Sequence, residues 1–116
     1  MLIPSTVKIH LYCGITDMRK SINTLSVMVQ DTLQMDPMSG HLFLFRNRQA
    51  NKLKALYYED ECYSLWYRRL EKGKFIFPRN AQGHIELSEE HFKWLLASNK
   101  YTHINDEKSA VYRDFF

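Results

Sequence analysis

A chain of 116 residues is one domain's length, and its 45% apolar and 25% charged residues are those of a globular protein, which excludes disorder along the whole chain. No apolar run approaches the roughly 18 residues of a membrane span, and MLIPSTVKIH lacks the charged-then-apolar order of a signal peptide. The expectation is therefore a protein of the cytoplasm with no membrane partner. The formal charge of +3 hides an asymmetry, because residues 46–79 hold nine basic side chains against four acidic ones while 1–45 balance and 80–116 are net acidic. A polyanion or an acidic partner suits that footprint, although Lys and Arg on exposed strand faces also serve solubility and edge protection.

Residues 7–12 alternate apolar with polar until Cys13-Gly14 and read as a first strand. From Met18 the period becomes helical: Met18, Ile22, Leu25, Val29 and Leu33 share one apolar face. Thr16 or Asp17 offers the N-cap and Asp36-Pro37 the stop, which gives a helix over 17–34 with Ile22, Leu25 and Val29 as core. After the Ser39-Gly40 turn, strand-like runs occupy 42–46, 52–58, 62–69 and 74–77, with a short one at 84–87. Ser88 then caps a second helix over 88–97, with Glu89 and Glu90 at its positive end and Phe92, Leu95 and Leu96 as its apolar stripe. The predicted fold class is α+β: an antiparallel meander sheet of five to six strands, one long helix packed on one face, and a shorter C-terminal helix closing an end. Residues 1–98 make a single domain and 99–116 a tail. Tyr112, Phe115 and Phe116 give that tail enough apolar surface to dock, either on its own domain or on a second copy in a homodimer.

The chemistry-bearing residues point to binding. His10 and Cys13 lie three apart, and Cys62, His41 and His84 could approach them in space, but structural zinc is announced by paired ligands at short spacing and none is present. No metal is expected, and both cysteines are read as thiols. Asp17, Asp31, Asp36, Glu59, Asp60 and Glu61 each sit at a cap, a turn or a hairpin tip rather than in a metal-collecting set. With no nucleophile elbow, P-loop or dinucleotide fingerprint, neither an enzyme nor a cofactor is expected. Residues 66–79 interleave aromatics with cations, as a surface that stacks bases and holds phosphates does. Alternation there puts Trp66 with Arg68 on one face and Tyr67 with Arg69 on the other, so at least one aromatic set is core. Arg46, Arg48 and Lys52 flank the polar loop 47–51, where side chains can reach phosphates without burying anything.

Read together, TDMRKS at 16–21, Asp36-Pro37 with Ser39-Gly40, LFLFRNR at 42–48, NKLKALYYED at 51–60 and SLWYRRLEKGKFIFP at 64–78 form a recognisable set. Over residues 4–97 the chain resembles the small TnpB, or Orf-two-like, accessory proteins encoded beside the transposase in bacterial insertion sequences of the IS66 family. It departs from them at Asn47 and Ala50, where the family often has glycine, and residues 99–116 extend past the likeness. The resemblance implies a bacterial, non-catalytic helper of DNA transposition, with the transposase on a separate chain and no catalytic residue to carry over. It gives the cations of these blocks a partner in DNA, the transposase being the alternative. The nucleic-acid-binding candidates are Arg19, Lys20, Arg46, Arg48, Lys52, Lys54, Arg68, Arg69, Lys72 and Lys74.

Overall fold

Side chains of a strand point to alternate faces, and in Leu42-Phe43-Leu44-Phe45 both sets are apolar, so this strand needs cover on both sides. The computed structural model describes residues 6–78 and 82–101, with side chains to Ala97, and supplies that cover. In chain order the elements are β1 (Ile9–Ile15), α1 (Ile22–Asp31), β2 (Leu42–Arg46), β3 (Lys52–Glu59), β4 (Cys62–Arg69), β5 (His84–Leu87) and α2 (Glu89–Tyr101). They build one five-stranded sheet of order β4-β3-β2-β1-β5.

The expected meander holds for β2, β3 and β4, which pair antiparallel, with Phe43 opposite Leu56 and Lys54 opposite Tyr67. The rest of the sheet corrects it. β1 lies parallel to β2, with Ile9 opposite Leu42, and β5 adds antiparallel to the outer side of β1. The sheet is therefore mixed, because the stretch between β1 and β2 carries the chain back to the end it started from, as parallel neighbours require, with α1 as its crossover. The run at 74–77 is not a strand. Gly73, at φ +82°, turns the chain, and the Phe75 N–H donates to the Ala50 carbonyl at 2.7 Å. Phe75 and Phe77 then pack on the sheet face opposite α1.

Both helices differ from the sequence reading in length, and the expected long first and shorter second helix are reversed, α1 having 10 residues and α2 13. α1 begins at Ile22 rather than 17, because the Asp17 carboxylate accepts the Arg19 N–H at 2.9 Å and holds 17–20 in a local turn that competes with helix. Ser21, in extended conformation, takes the N-cap position expected of Thr16 or Asp17, without a side-chain cap bond. At the other end Gln34 is left-handed, at φ +57°, and the Met35 N–H donates to the Val29 carbonyl at 3.0 Å, a Schellman-type closure ahead of Pro37. Ser88 caps α2 as expected, its Oγ accepting the His91 N–H at 3.0 Å, and the helix continues past 97 to Tyr101. The proposed docking residues Tyr112, Phe115 and Phe116 lie outside the described residues.

Two apolar layers result. Leu25, Val29 and Leu33 pack with Phe43, Phe45 and Leu56 on one face of the sheet, flanked by Ile22, Met18 and Leu65. On the other face, Ile9, Leu11, Leu42, Leu44 and Leu53 meet Phe75 and, from α2, Phe92 and Leu95. His10 belongs to the α1 side of β1, opposite Phe43 in register and stacked on its ring at 5.4 Å. His41 and His84 approach it edge-on at 5.5 and 5.8 Å, and both His10 ring nitrogens are buried without a partner among the described residues.

Leu25 is fully buried, so Leu25→Ala is expected to cost about 2 to 5 kcal/mol, read by denaturant or thermal unfolding. A second expectation concerns pH. Burial, followed by the charges of His41 and His84 and then Lys8, lowers the His10 pKa below 6.5, against the opposing pull of Glu86. The fold holds His10 neutral, so its contribution is complete above 6.5 and is lost as pH falls below that value. Thermal midpoints measured from neutral pH downward should fall for the parent and fall less steeply for His10→Phe.

Candidate nucleic-acid interface

α1 spans only ten residues, and its layer reaches across one end of its sheet face. Register assigns Lys52, Lys54, Tyr67 and Arg69 to the same face beyond that cover, since Lys54 lies beside Phe45 on one side and Tyr67 on the other. There an open cleft of about 470 Å³ is bounded by the 15–19 segment, the 47–49 turn and the strand residues Lys52, Lys54 and Tyr67.

One wall comes from an irregularity in β1. Between Leu11 and Ile15 its register with β2 slips, Leu11 lying opposite Leu44 and Ile15 opposite Arg46, and the Thr16 N–H then donates to the Arg46 carbonyl at 2.8 Å. Thr16 is thereby held in the cleft wall, 2% exposed, and its hydroxyl has no partner among the described residues. The adjoining turn is braced from two directions. The Asp17 carboxylate accepts the Arg19 guanidinium as well as its N–H, which together push the Asp17 pKa down to about 2. From below, the Lys54 ammonium donates to the carbonyls of Met18 at 2.8 Å and Lys20 at 2.7 Å and lies 5.5 Å from the Tyr67 ring centroid.

The opposite wall is a turn built around a buried amide. Asn47 Oδ1 accepts the N–H groups of Asn51 at 3.1 Å and Lys52 at 2.9 Å, while Nδ2 donates to Gln49 at 3.1 Å and Asn51 at 2.7 Å. Ala50 sits at φ +58°, the left-handed region that favours glycine. Sequence reading left the side chains of this polar loop free to reach phosphates. The structure spends them on fixing the turn, and what it presents outward is Arg48, with Lys52 on the adjoining strand. Among the described residues neither side chain makes an ion pair or hydrogen bond.

Of the ten candidate cations, Arg19, Arg48, Lys52 and Lys54 line the cleft together. Lys20 contributes its carbonyl to the Lys54 clamp, and Arg69, opposite Lys52 in register, pairs with Glu71 at 2.9 Å. Arg46 and Arg68 belong to the other face: Arg46 donates to the Cys13 carbonyl at 2.8 Å with its guanidinium over Phe77, and Arg68 lies over Trp66. Lys72 and Lys74 are exposed on the turn after β4. Grouping Arg46 with Arg48 and Lys52 by proximity in sequence overlooked the pleat, which sends Arg46 through to the far side. Thr16 and Tyr67 escaped the candidate set altogether. Tyr67 could have been found by extending the alternation of 66–69 across to Lys52 and Lys54 on the neighbouring strand.

Among the described residues no group of three His, Cys, Asp or Glu is arranged to hold a metal ion, and no helix is long and apolar enough to cross a membrane. Cys62 is exposed on the hairpin opposite Glu59, while Cys13 is half-buried.

The geometry defines a small α+β sandwich, a mixed sheet between helical layers with an open cationic cleft where one layer falls short. The family model described as IS66 Orf2 like protein matches residues 7–106, and the chain belongs to that family, whose members are associated with transposition of insertion sequences. It is similar to the uncharacterized protein y4hO of Sinorhizobium fredii, 32% identical over 104 residues, which cover 88% of this chain and 90% of that one. It is also similar to the uncharacterized protein y4jC of the same organism, 34% identical over 88 residues covering 76% and 75%. No solved structure matches the chain.

The Asp17–Arg19 brace can be read directly. In an NMR titration of side-chain carboxyls Asp17 should titrate near pH 2, and Arg19→Ala should return it toward 3.8. The stabilisation of the turn is then present above 3.8 and lost as pH falls through about 2.

Proposed function

We propose that this protein is a non-catalytic accessory factor of transposition that binds DNA of its mobile element through the cleft between the 15–19 segment and the 47–49 turn. The observation that carries the reading is the convergence of Arg19, Arg48, Lys52 and Lys54 on one open surface, from three separate stretches of sequence. Two of these cations have a visible alternative duty. Arg19 neutralises Asp17 and Lys54 clamps the preceding turn, so the charge available to an incoming phosphate rests chiefly on Arg48 and Lys52. Lysine and arginine at such positions attract a polyanion by charge, and each phosphate they neutralise releases condensed counterions. The alternative partner is the transposase, for which Ile15, 46% exposed at the cleft, supplies an apolar contact.

The test is the salt dependence of binding to DNA from the ends of the element. Arg48→Ala with Lys52→Ala should weaken binding and flatten the log-log slope by about 0.9 for each phosphate contact removed, with little change in thermal midpoint. An unchanged slope, or no binding at low salt, overturns the reading. Nuclease-resistant co-purification with the transposase would then support the protein-contact alternative.

A further inference from the structure

We propose that the cleft takes one unpaired nucleotide of a DNA strand, with its base against Tyr67 and its phosphate at Arg48 and Lys52. This rests on the DNA-binding reading above and narrows it from a charged surface to a subsite with a defined occupant. A site built only to hold a duplex backbone needs cations on a ridge or shallow groove. Three features of this cleft exceed that need.

Tyr67 is the first. It is 48% exposed on the cleft side of β4, with a cation 5.5 Å from its ring centroid. An exposed ring among cations is how proteins that hold single strands meet bases, whereas the bases of an intact duplex already stack on one another and offer no face to a side chain on a strand. Thr16 is the second. Its hydroxyl is a buried polar group with no partner among the described residues, which costs free energy, and rotation about its Cα–Cβ bond would bring it to a phosphate oxygen or base edge in the cleft. The third is Asp17. Arg19 takes up its charge, but the carboxylate remains partly exposed in the lining and keeps acceptor capacity for a base amino group, which a phosphate does not need. A cleft of about 470 Å³ with cations, an aromatic face and an acceptor in one lining has the chemical variety of a nucleotide, within the size range of small-ligand sites.

The experiment compares three labelled probes by fluorescence anisotropy: a single strand, the blunt duplex of the same sequence, and that duplex with a single-stranded overhang. The parent should bind the single strand and the overhang more tightly than the blunt duplex. Tyr67→Leu should weaken single-strand binding roughly 5- to 150-fold, the equivalent of one lost stacking contact, and leave blunt-duplex binding nearly unchanged. Tyr67→Phe should retain single-strand binding. Without any substitution, a strand carrying 5-iododeoxyuridine should photo-crosslink to Tyr67. Equal affinity for all probes, or a Tyr67→Leu protein that binds single strands as the parent does, overturns the nucleotide subsite while leaving the charged-surface reading in place. Absence of binding to every probe at low salt removes both.

Discussion

The double-sided burial of β2 is the constraint on which the rest of the structure depends. Leu42, Phe43, Leu44 and Phe45 are each no more than 1% exposed, so a helical layer on a single face could not have satisfied this strand. Phe43 and Phe45 call for α1, while Leu42 and Leu44 call for the 70–78 strap and α2. Because α1 reaches β2 by way of a parallel partner, its length and placement are tied to the crossover. It ends before it can cover Lys52, Lys54 and Tyr67. The cleft is thus the uncovered remainder of a face whose other end is core.

Within that remainder the cations divide by what they already hold. Lys54 donates to two backbone carbonyls and its stem passes between the apolar layer and Tyr67, so its charge supports the cleft while its hydrogen bonds belong to the fold. Arg46 does the same on the far face, where it ties β2 to β1 through Cys13. Arg48 and Lys52 differ because the Asn47 network consumes the polar groups of the turn and leaves these two presented on a rigid support. A cation on a fixed turn loses less conformational freedom on meeting a phosphate than one on a loose loop.

Much of this was legible in the residues and some was not, for identifiable reasons. The helical stripe of Leu25 and Val29, the β2–β3–β4 hairpins and the Ser88 cap follow from local periodicity and turn chemistry, which act over a few residues. The parallel pairing of β1 with β2 does not, since it depends on where a crossover delivers the chain. LFLF nevertheless carried a hint, because a strand without alternation is covered on both faces, as parallel-sheet strands usually are. The short N-terminal end of α1 was hidden by a competition between two local options at Asp17, a helix cap or a carboxylate-closed turn, that periodicity does not decide. In the cleft, Arg48 and Lys52 were visible as charge on a turn. Thr16 was invisible, because a slip in strand register rather than any motif places it there.

The sheet order also has a kinetic side. β2, β3 and β4 pair with their immediate neighbours in sequence, so their hairpins close short loops at small entropic cost. β1 must wait for the crossover, and β5 joins Tyr12 to His84, residues from opposite ends of the domain. Chain-closure entropy therefore ranks the hairpin pair as the earliest structure to consolidate and the β1–β5 edge as the last. During synthesis the chain would emerge with β2 already hydrophobic on both faces and its second cover still inside the ribosome, since Phe92 and Leu95 follow β2 far along the sequence. The apolar face awaiting α2 is the surface most exposed to misassociation while the protein is being made.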